Sequence, residues 1–249
     1  MERPVVVITG GSRGIGAATV RLAAERGYGV AFNYLNAEEE GEQLCTELHH
    51  LEVPVLALRC DVTDEVQVQE LFKQVVHEMG VPTALVNNAG ILETQMPLSQ
   101  MSKRRFERVL QVNVIGAFLC AREAVRLMSK SSGGSGGAIV NVSSMAARLG
   151  SPGEYIDYAA SKGAIDSLTV GLATEVAHEG IRVNAVRPGI IHTDIHSDGG
   201  EPGRVERIGP TLPLGRGGRP EEVAEAIMWL LSDAASYSTG SFIDVAGGR

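Results

Sequence analysis

The beginning of the chain restricts the possible fold more than any other stretch, because an apolar β-branched run leads directly into a cluster of glycines. Val5–Thr9 has the continuous pattern of a strand buried on both faces in a parallel sheet. The glycine-rich segment Thr9–Gly16 follows at once, and residues 17–26 have the composition of a helix. A strand, a glycine turn and a helix in this order direct free N–H groups and the positive end of the helix dipole at a phosphate. We therefore predict a phosphate-binding turn here.

The rest of the chain continues the alternation of strand and helix. Further strands are predicted at 29–34, 54–60, 83–86, 138–142, 181–186 and 242–245, and helices at 37–50, 64–79, 103–129, 155–178 and 220–231. The Gly/Ser run 131–137 is interpreted as a surface loop, because a domain boundary there would split the series. The pattern predicts an α/β fold: a single domain over 1–249 with a doubly wound parallel sheet and helices on both faces.

Composition excludes several classes of protein. Apolar residues make up 44 % of the chain, no apolar run approaches the length of a membrane span, and the N-terminus shows no secretory leader, so we expect a cytoplasmic protein with no membrane partner. Cys45, Cys60 and Cys120 are widely spaced, which favours reduced thiols over disulfides or a zinc site. A net charge of -8 with 4 % aromatic residues argues against a nucleic-acid partner.

Two kinds of candidate functional residue stand out. Polar residues or glycines follow five predicted strands, at the edge where open parallel sheets bind ligands; they are Thr9, Asp61-Val62, Asn87–Gly90, Ser143-Ser144 and Pro188-Gly189. In addition, Tyr158 and Lys162 are four residues apart in a predicted helix and so share one face. A cation near a phenol lowers its pKa, so this pair could exchange a proton with a carbonyl or alcohol oxygen. For this motif alone, two solvated residues on an amphipathic helix are the alternative.

Together these motifs resemble the short-chain dehydrogenase/reductase family over nearly the whole chain. The matching residues are Thr9-Gly10 with Gly14-Ile15-Gly16, Asn87–Gly90, Asn113, Asn141–Ser144, Tyr158 with Lys162, and Pro188-Gly189 with Thr193. The resemblance implies a Rossmann fold and hydride transfer between a nicotinamide and a carbonyl or alcohol carbon of a small-molecule substrate. Glucose 1-dehydrogenase-like and 3-oxoacyl-acyl-carrier-protein reductase-like members both resemble the chain, and the motifs select neither.

The resemblance also implies roles for individual residues. Tyr158 would be the general acid or base, and Lys162 would lower its pKa and hold the nicotinamide ribose. Ser144 would bind the substrate oxygen, with Ser143 as the alternative, and Asn113 would complete a proton path to solvent. A homotetramer is implied as well, assembled through the helices near 103–129 and 155–178 and the C-terminal strand.

The expected cofactor is NADP(H), although NAD(H) remains possible. NAD-type sites place an Asp at the end of the second strand, whereas residues 32–36 here contain none, and Arg13 in the glycine turn could pair with a 2′-phosphate. The predicted cofactor-binding residues are Gly10, Ser12, Arg13, Gly14, Ile15, Gly16, Asn33, Tyr34, Asp61, Val62, Asn88, Ala89, Gly90, Tyr158, Lys162, Pro188, Gly189, Ile191 and Thr193.

The segment 194–214 is too rich in glycine and proline for a long helix, and we expect it to form a mobile lid over the substrate. Its histidines and acids lack the spacing of a metal site, so no metal is expected. The alternative function is a catalytically silent NADP(H) sensor, but such a protein would be expected to lose Tyr158 or Lys162.

Overall fold

A computed structural model describes residues 3–249 and contains a seven-stranded, wholly parallel sheet. The strands are β1 (Val5–Ile8), β2 (Gly29–Tyr34), β3 (Val55–Arg59), β4 (Ala84–Asn87), β5 (Gly137–Val142), β6 (Ile181–Pro188) and β7 (Phe242–Val245). Their order across the sheet is β3-β2-β1-β4-β5-β6-β7. The predicted doubly wound fold is confirmed.

Helices connect the strands on both faces of the sheet. They are α1 (Gly14–Glu25), α2 (Glu38–Leu48), α3 (Glu65–Met79), α4 (Lys103–Leu110), α5 (Ala117–Met128), α6 (Ala146–Leu149), α7 (Ile156–Val176), α8 (Ile195–Asp198), α9 (Arg204–Ile208) and α10 (Pro220–Leu231). Within the described residues 3–249, every helix is too short or too polar to cross a membrane.

Each face of the sheet has its own apolar core, which explains the uninterrupted apolar sequence of the strands. Successive side chains of a strand point to opposite faces. In β1, Val6 and Ile8 pack with α1, α2 and α10, whereas Val5 and Val7 pack with α3, α5 and α7. All four residues are buried, so neither face of β1 can accept a polar side chain without a partner.

The predicted helix over 103–129 differs from expectation in its middle. Helical structure runs from 103 to 128, but Gln111–Gly116 forms a π-helical segment between α4 and α5. Such segments occur often at functional sites, and this one contains the buried Asn113. The Gly/Ser run 131–137 leads directly into β5 of the same sheet, in agreement with a connecting loop.

The strand order reverses between β1 and β4, because the chain first builds the sheet outward through β2 and β3 and then returns to the other side of β1. The connections that leave β1 and β4 therefore diverge and open a crevice at the carboxyl end of the sheet. The residues that follow these strands in sequence border that crevice.

Candidate active site

A cleft of about 1040 Å³ lies at this carboxyl edge and brings most of the predicted site residues together. Of the predicted catalytic residues it is lined by Ser144, Tyr158 and Lys162. All predicted cofactor-binding residues except Gly16 also line it. Gly16 and Asn113 lie behind the cleft wall, where both are buried.

The glycine turn has a backbone that other residues cannot readily adopt. Gly10 and Gly14 have φ angles of 63° and 55°, in the left-handed region that favours glycine. A Cβ on Gly16 would overlap the carbonyl oxygen of Gly10, so the start of α1 packs directly on the turn. Arg13 precedes α1, and its side chain does not cap the first N–H groups of the helix. This arrangement can bind a phosphate group.

Two side-chain amides, one buried and one partly buried, hold the turn against its neighbouring strands. Asn88 Nδ2 donates to the carbonyl oxygens of Thr9 and Gly10, each at 2.9 Å, while the Thr9 hydroxyl accepts from the backbone N–H of Asn88. Asn33 accepts from the Gly10 N–H at 3.0 Å and donates to the Cys60 carbonyl at 2.8 Å. Asn33 and Asn88 therefore fix the cleft floor, and the Asn33 amide uses its oxygen and one N–H for this purpose.

Tyr158 and Lys162 share one face of α7 as predicted, but the expected lowering of the Tyr158 pKa is not found. Burial raises the pKa of Tyr158 to about 12, and hydrogen bonding with Ser144 lowers it in part. Lys162 Nζ donates to the Val142 carbonyl at 2.7 Å and lies 5.6 Å from the centre of the Tyr158 ring. Burial lowers the pKa of Lys162 to about 8, against the charge of Asp166, which raises it. Desolvation therefore dominates both groups.

The two adjacent serines have different surroundings. Ser144 borders the cleft beside Tyr158 and accepts from the Ala146 N–H at 3.1 Å. Ser143 also borders the cleft, but its hydroxyl donates to Asp166 Oδ1 at 2.6 Å and is therefore already engaged. This geometry favours Ser144 over Ser143 as the residue that contacts a substrate oxygen.

Asn113 connects three segments behind the site. Its Oδ1 accepts from the Ile91 N–H at 2.8 Å, and its Nδ2 donates to the Ile91 carbonyl at 3.0 Å and to the Ser161 hydroxyl at 3.1 Å. Ser161 immediately precedes Lys162 on α7. Asn113 therefore ties the π-helical segment to the loop after β4 and to the helix that carries Tyr158.

The segment 194–214 covers one end of the cleft and contains the short helices α8 and α9. Arg204 is 5 % exposed and pairs with Glu154 at 2.5 Å and Glu201 at 2.7 Å. Glu201 also binds Arg207, and these contacts lower its pKa to about 2. Across the cleft, Arg13 Nη2 pairs with Asp198 at 2.6 Å. Within residues 3–249 no group of three or more His, Cys, Asp or Glu side chains is arranged to hold a metal ion.

Sequence reasoning missed much of the wall near Tyr158. The additional residues are mostly apolar or aromatic and include Leu92, Met145, Leu149, Tyr155, Ile190 and Ile195. Their signal in the sequence was weak, because apolar residues after a strand are equally typical of a core. A clearer signal was available for Tyr155, which is three residues before Tyr158 and so lies on a neighbouring part of the same face.

Comparison with known proteins identifies the family. The sequence model described as enoyl-(acyl carrier protein) reductase matches residues 10–249. The chain belongs to the short-chain dehydrogenase/reductase family. It is 57 % identical to an uncharacterized oxidoreductase, YgfF, of Escherichia coli strain K12 over 248 residues, which are 98 % of this chain and 99 % of that protein. The predicted resemblance is confirmed.

Solved structures agree with this assignment. A 3-ketoacyl-(acyl-carrier-protein) reductase from Brucella melitensis, complexed with NADH, is 30 % identical with a TM-score of 0.92, covering 100 % of this chain and 98 % of that one. A blue fluorescent protein from a metagenomic library, complexed with NADPH, is 33 % identical with a TM-score of 0.89, covering 99 % and 98 %. The chain is therefore an oxidoreductase of a family that uses nicotinamide cofactors and acts on CH–OH or C=O groups.

Proposed function

We propose that this protein is an NADP(H)-preferring oxidoreductase in which Tyr158 transfers the proton, assisted by Ser144, Lys162 and Asn113. The observation that carries the proposal is that Tyr158, Ser144 and Lys162 border the same cleft as the glycine turn. A hydride carrier and a proton donor could thus meet at one carbonyl group.

The residues of the cleft fit a dinucleotide. The left-handed turn and the start of α1, which Arg13 does not cap, suit a pyrophosphate. A Cβ on Gly14 would lie 3.2 Å from the Thr193 side chain, so a larger residue at position 14 would crowd Thr193. Asp61 and Val62 would contact the adenine, and Pro188, Gly189, Ile191 and Thr193 the nicotinamide end. When bound, the nicotinamide supplies or accepts the hydride.

The protein's own part is to move and stabilise the proton. With its pKa raised to about 12, Tyr158 is protonated at neutral pH and can donate its proton to a carbonyl oxygen as the alcohol forms. Ser144 would hold that oxygen through a second hydrogen bond. Lys162 has three N–H donors, of which Val142 uses one, so the others are available for ribose hydroxyls. In oxidation the same Tyr158 oxygen takes the proton back.

The preference for NADP(H) rests on charge. The end of β2 carries Asn33, whose amide is engaged with the turn, and no acidic residue stands at 32–36 to repel a 2′-phosphate. Arg13 borders the cleft and supplies a guanidinium at the turn. Because Arg13 pairs with Asp198 in the structure, a 2′-phosphate has to compete with that carboxylate. NAD(H) remains the second cofactor.

A homotetramer in the cytoplasm is also proposed. Exposed apolar side chains on α4, the π-helical segment, α5 and α7 support assembly through these helices; they are Leu110, Ile115, Phe118 and Val170. Trp229 on α10 is also 42 % exposed. The free thiols of Cys45, Cys60 and Cys120 are in keeping with a reducing compartment. Sedimentation as a monomer at micromolar concentration would contradict the tetramer.

The function is tested by following NADPH and NADH oxidation with ketones, aldehydes and β-ketoacyl thioesters, and the reverse reaction with sugars and alcohols. With the best substrate, Tyr158→Phe should lower kcat by at least about 100-fold, because the proton donor is lost, and NADPH fluorescence should show retained binding. Tyr155→Phe is the matched control. Its hydroxyl donates to the Gly199 carbonyl, so we expect a loss below about tenfold.

The outcomes separate the parts of the proposal. Turnover retained in Tyr158→Phe contradicts the proton-transfer role. A wild-type preference for NADH, or unchanged NADPH affinity in Arg13→Ala, contradicts the cofactor assignment. Binding of NADPH without turnover of any compound would favour the sensor instead.

A further inference from the structure

Ser143, Asp166 and Arg187 form a polar cluster behind the proposed reaction site. Ser143 donates to one oxygen of the Asp166 carboxylate at 2.6 Å, and Arg187 donates to the other through Nε at 3.0 Å and Nη2 at 2.8 Å. The side chains of Arg187 and Asp166 are only 15 % and 18 % exposed. Charged groups at this depth need partners, and the cluster provides them.

The cluster touches two of the proposed reacting groups through neighbouring atoms. Asp166 follows Lys162 by one turn of α7, so both side chains lie on the same face. Ser143 directly precedes Ser144, and its hydroxyl also lies 3.2 Å from the Lys162 carbonyl oxygen. A shift of the Asp166 carboxylate would therefore change the positions or surroundings of both Ser144 and Lys162.

Arg187 is itself held in place from the far side. It lies opposite Asp244 in the β6/β7 pairing, with Nη1 at 3.5 Å from the Asp244 carboxylate, and its guanidinium lies 3.9 Å from the centre of the Phe242 ring. Around the Lys162 ammonium are the Val142 carbonyl and the Tyr158 ring. Among the described residues, Asp166 is the one carboxylate whose charge acts on Lys162.

We infer that Asp166, held by Arg187, is a positioning residue of the reaction: it fixes Ser143, and with it the backbone that carries Ser144, and it keeps Lys162 in the ammonium form. This inference rests on the proposed roles of Tyr158, Ser144 and Lys162. It adds a charged residue that acts on the reaction without contacting the substrate or the cofactor.

The inference has a signature in the pH dependence of carbonyl reduction. Burial lowers the pKa of Lys162 to about 8, and the Asp166 charge opposes that lowering. Without the carboxylate the pKa of Lys162 falls further. Because the ammonium form is the active one, kcat/KM should fall at high pH as Lys162 loses its proton; we call this fall the alkaline limb. Without the carboxylate the alkaline limb should move to lower pH, by about one unit for the loss of a neighbouring opposite charge.

Two variants separate the charge from the hydrogen bond. Asp166→Asn keeps an oxygen that accepts from Ser143 but removes the charge, so it should shift the alkaline limb by about one unit. Ser143→Ala keeps the charge but removes the hydrogen bond, so it should lower kcat by about threefold to tenfold with the limb unmoved. Glu175→Gln is the control, since it removes one negative charge from an exposed position of the same helix.

An alkaline limb in Asp166→Asn that coincides with those of wild type and Glu175→Gln would overturn the inference. A general loss of rate in Asp166→Asn without a shift would also overturn it, because a merely structural role lowers kcat at every pH. If Asp166→Asn does not fold, Asp166→Ser decides, since it also removes the charge and should shift the limb in the same direction, and an unshifted limb in it would overturn the inference. An active Tyr158→Phe variant would instead show that the proposed function itself is wrong.

Discussion

The two sides of the cleft are held by different kinds of interaction. The glycine-turn side depends on backbone geometry and side-chain amides, with Asn33 and Asn88 bonded to the backbone of the turn. The segment 194–214 depends on ion pairs, of which Arg204 with Glu154 and Glu201 is buried and Arg13 with Asp198 is largely exposed. Backbone contacts are insensitive to salt, whereas exposed ion pairs are screened by it.

This difference suits the two ligands. A dinucleotide needs a fixed surface, and a rigid turn avoids the cost of ordering it at each binding event. A substrate has to enter and leave, and a segment held by a few ion pairs can open without disturbing the sheet. Substitutions on the first side should therefore affect the cofactor and stability together, and substitutions on the second side should affect the substrate.

The largest effect is expected for Gly16→Ala. The added Cβ would overlap the carbonyl oxygen of Gly10 and approach Asn88 Nδ2. The first group belongs to the turn and the second is hydrogen-bonded to it, so neither can move without opening the turn. Overpacking of this kind costs about 1–3 kcal/mol. We expect NADPH affinity to fall on the order of 100-fold and the Tm to fall by roughly 2–12 °C, as measured by fluorescence titration and thermal unfolding.

Gly163→Ala is the control for this prediction. Gly163 lies in α7, and a Cβ there would contact nothing within 4 Å. Alanine is favoured over glycine inside helices by about 0.5–1 kcal/mol, so the Tm should stay the same or rise slightly. Equal losses in the two variants would show that the close packing at Gly16 is not what holds the turn.

The glycine-turn side was largely predictable from the sequence, because its information is local. Gly10, Gly14 and Gly16 were predicted from their positions after one strand, and the structure explains each by a backbone angle or a close approach. The hydrogen-bond partners of the Asn33 side chain were less predictable. Its amide joins residues 23 and 27 positions away, and such a distant pairing has no signature in the local sequence.

The next effect in size is expected for Arg204→Met. Removal of this buried cation leaves Glu154 without its partner, while Glu201 keeps Arg207 and Gln95. Because Glu154 is 33 % exposed and Glu201 stays paired, the cost should stay below the roughly 3–5 kcal/mol of breaking a fully buried pair. This destabilisation should be confined to α9 and its surroundings and should leave the sheet intact. We expect kcat/KM to drop by about tenfold or more and cleavage by protease within 194–214 to accelerate, with the dissociation constant for NADPH nearly unchanged.

Arg207→Met is the matched control, because Arg207 pairs with the same Glu201 but is 57 % exposed. Exposed pairs contribute about 0–1 kcal/mol, so its effect should be at most about fivefold. The pKa of Glu201 is lowered to about 2, so its pairing is complete above its ordinary pKa and is lost only as pH falls toward 2. The difference between the two variants should therefore be the same at pH 6 and pH 9.

The segment 194–214 was harder to predict, because its side chains interact with residues far away in the sequence. The glycines and prolines of 194–214 indicated an irregular segment, but its sequence did not show which partners its charged residues have. The structure instead pairs Arg204 with Glu154, fifty positions earlier, and places apolar side chains such as Leu92 and Ile190 in the cleft wall. Composition shows which charges are present, but only the fold determines which of them are already neutralised.

The smallest effect is expected for Asp198→Asn, at the contact between the two sides. In the structure Asp198 holds Arg13, the proposed ligand of the 2′-phosphate. Both side chains are about half exposed, so the pair contributes at most about 1 kcal/mol, and removing the carboxylate should tighten NADPH binding by about threefold while leaving NADH unchanged. Asp194→Asn, which removes the same charge from the same segment, should change neither cofactor's affinity by as much.

The gain in NADPH affinity should shrink as salt rises from 50 to 500 mM, because the competing pair of Arg13 with Asp198 is screened. If both cofactors bind more tightly, Asp198 acts by general repulsion rather than through Arg13; if neither changes, Arg13 is not the phosphate ligand or does not compete for it.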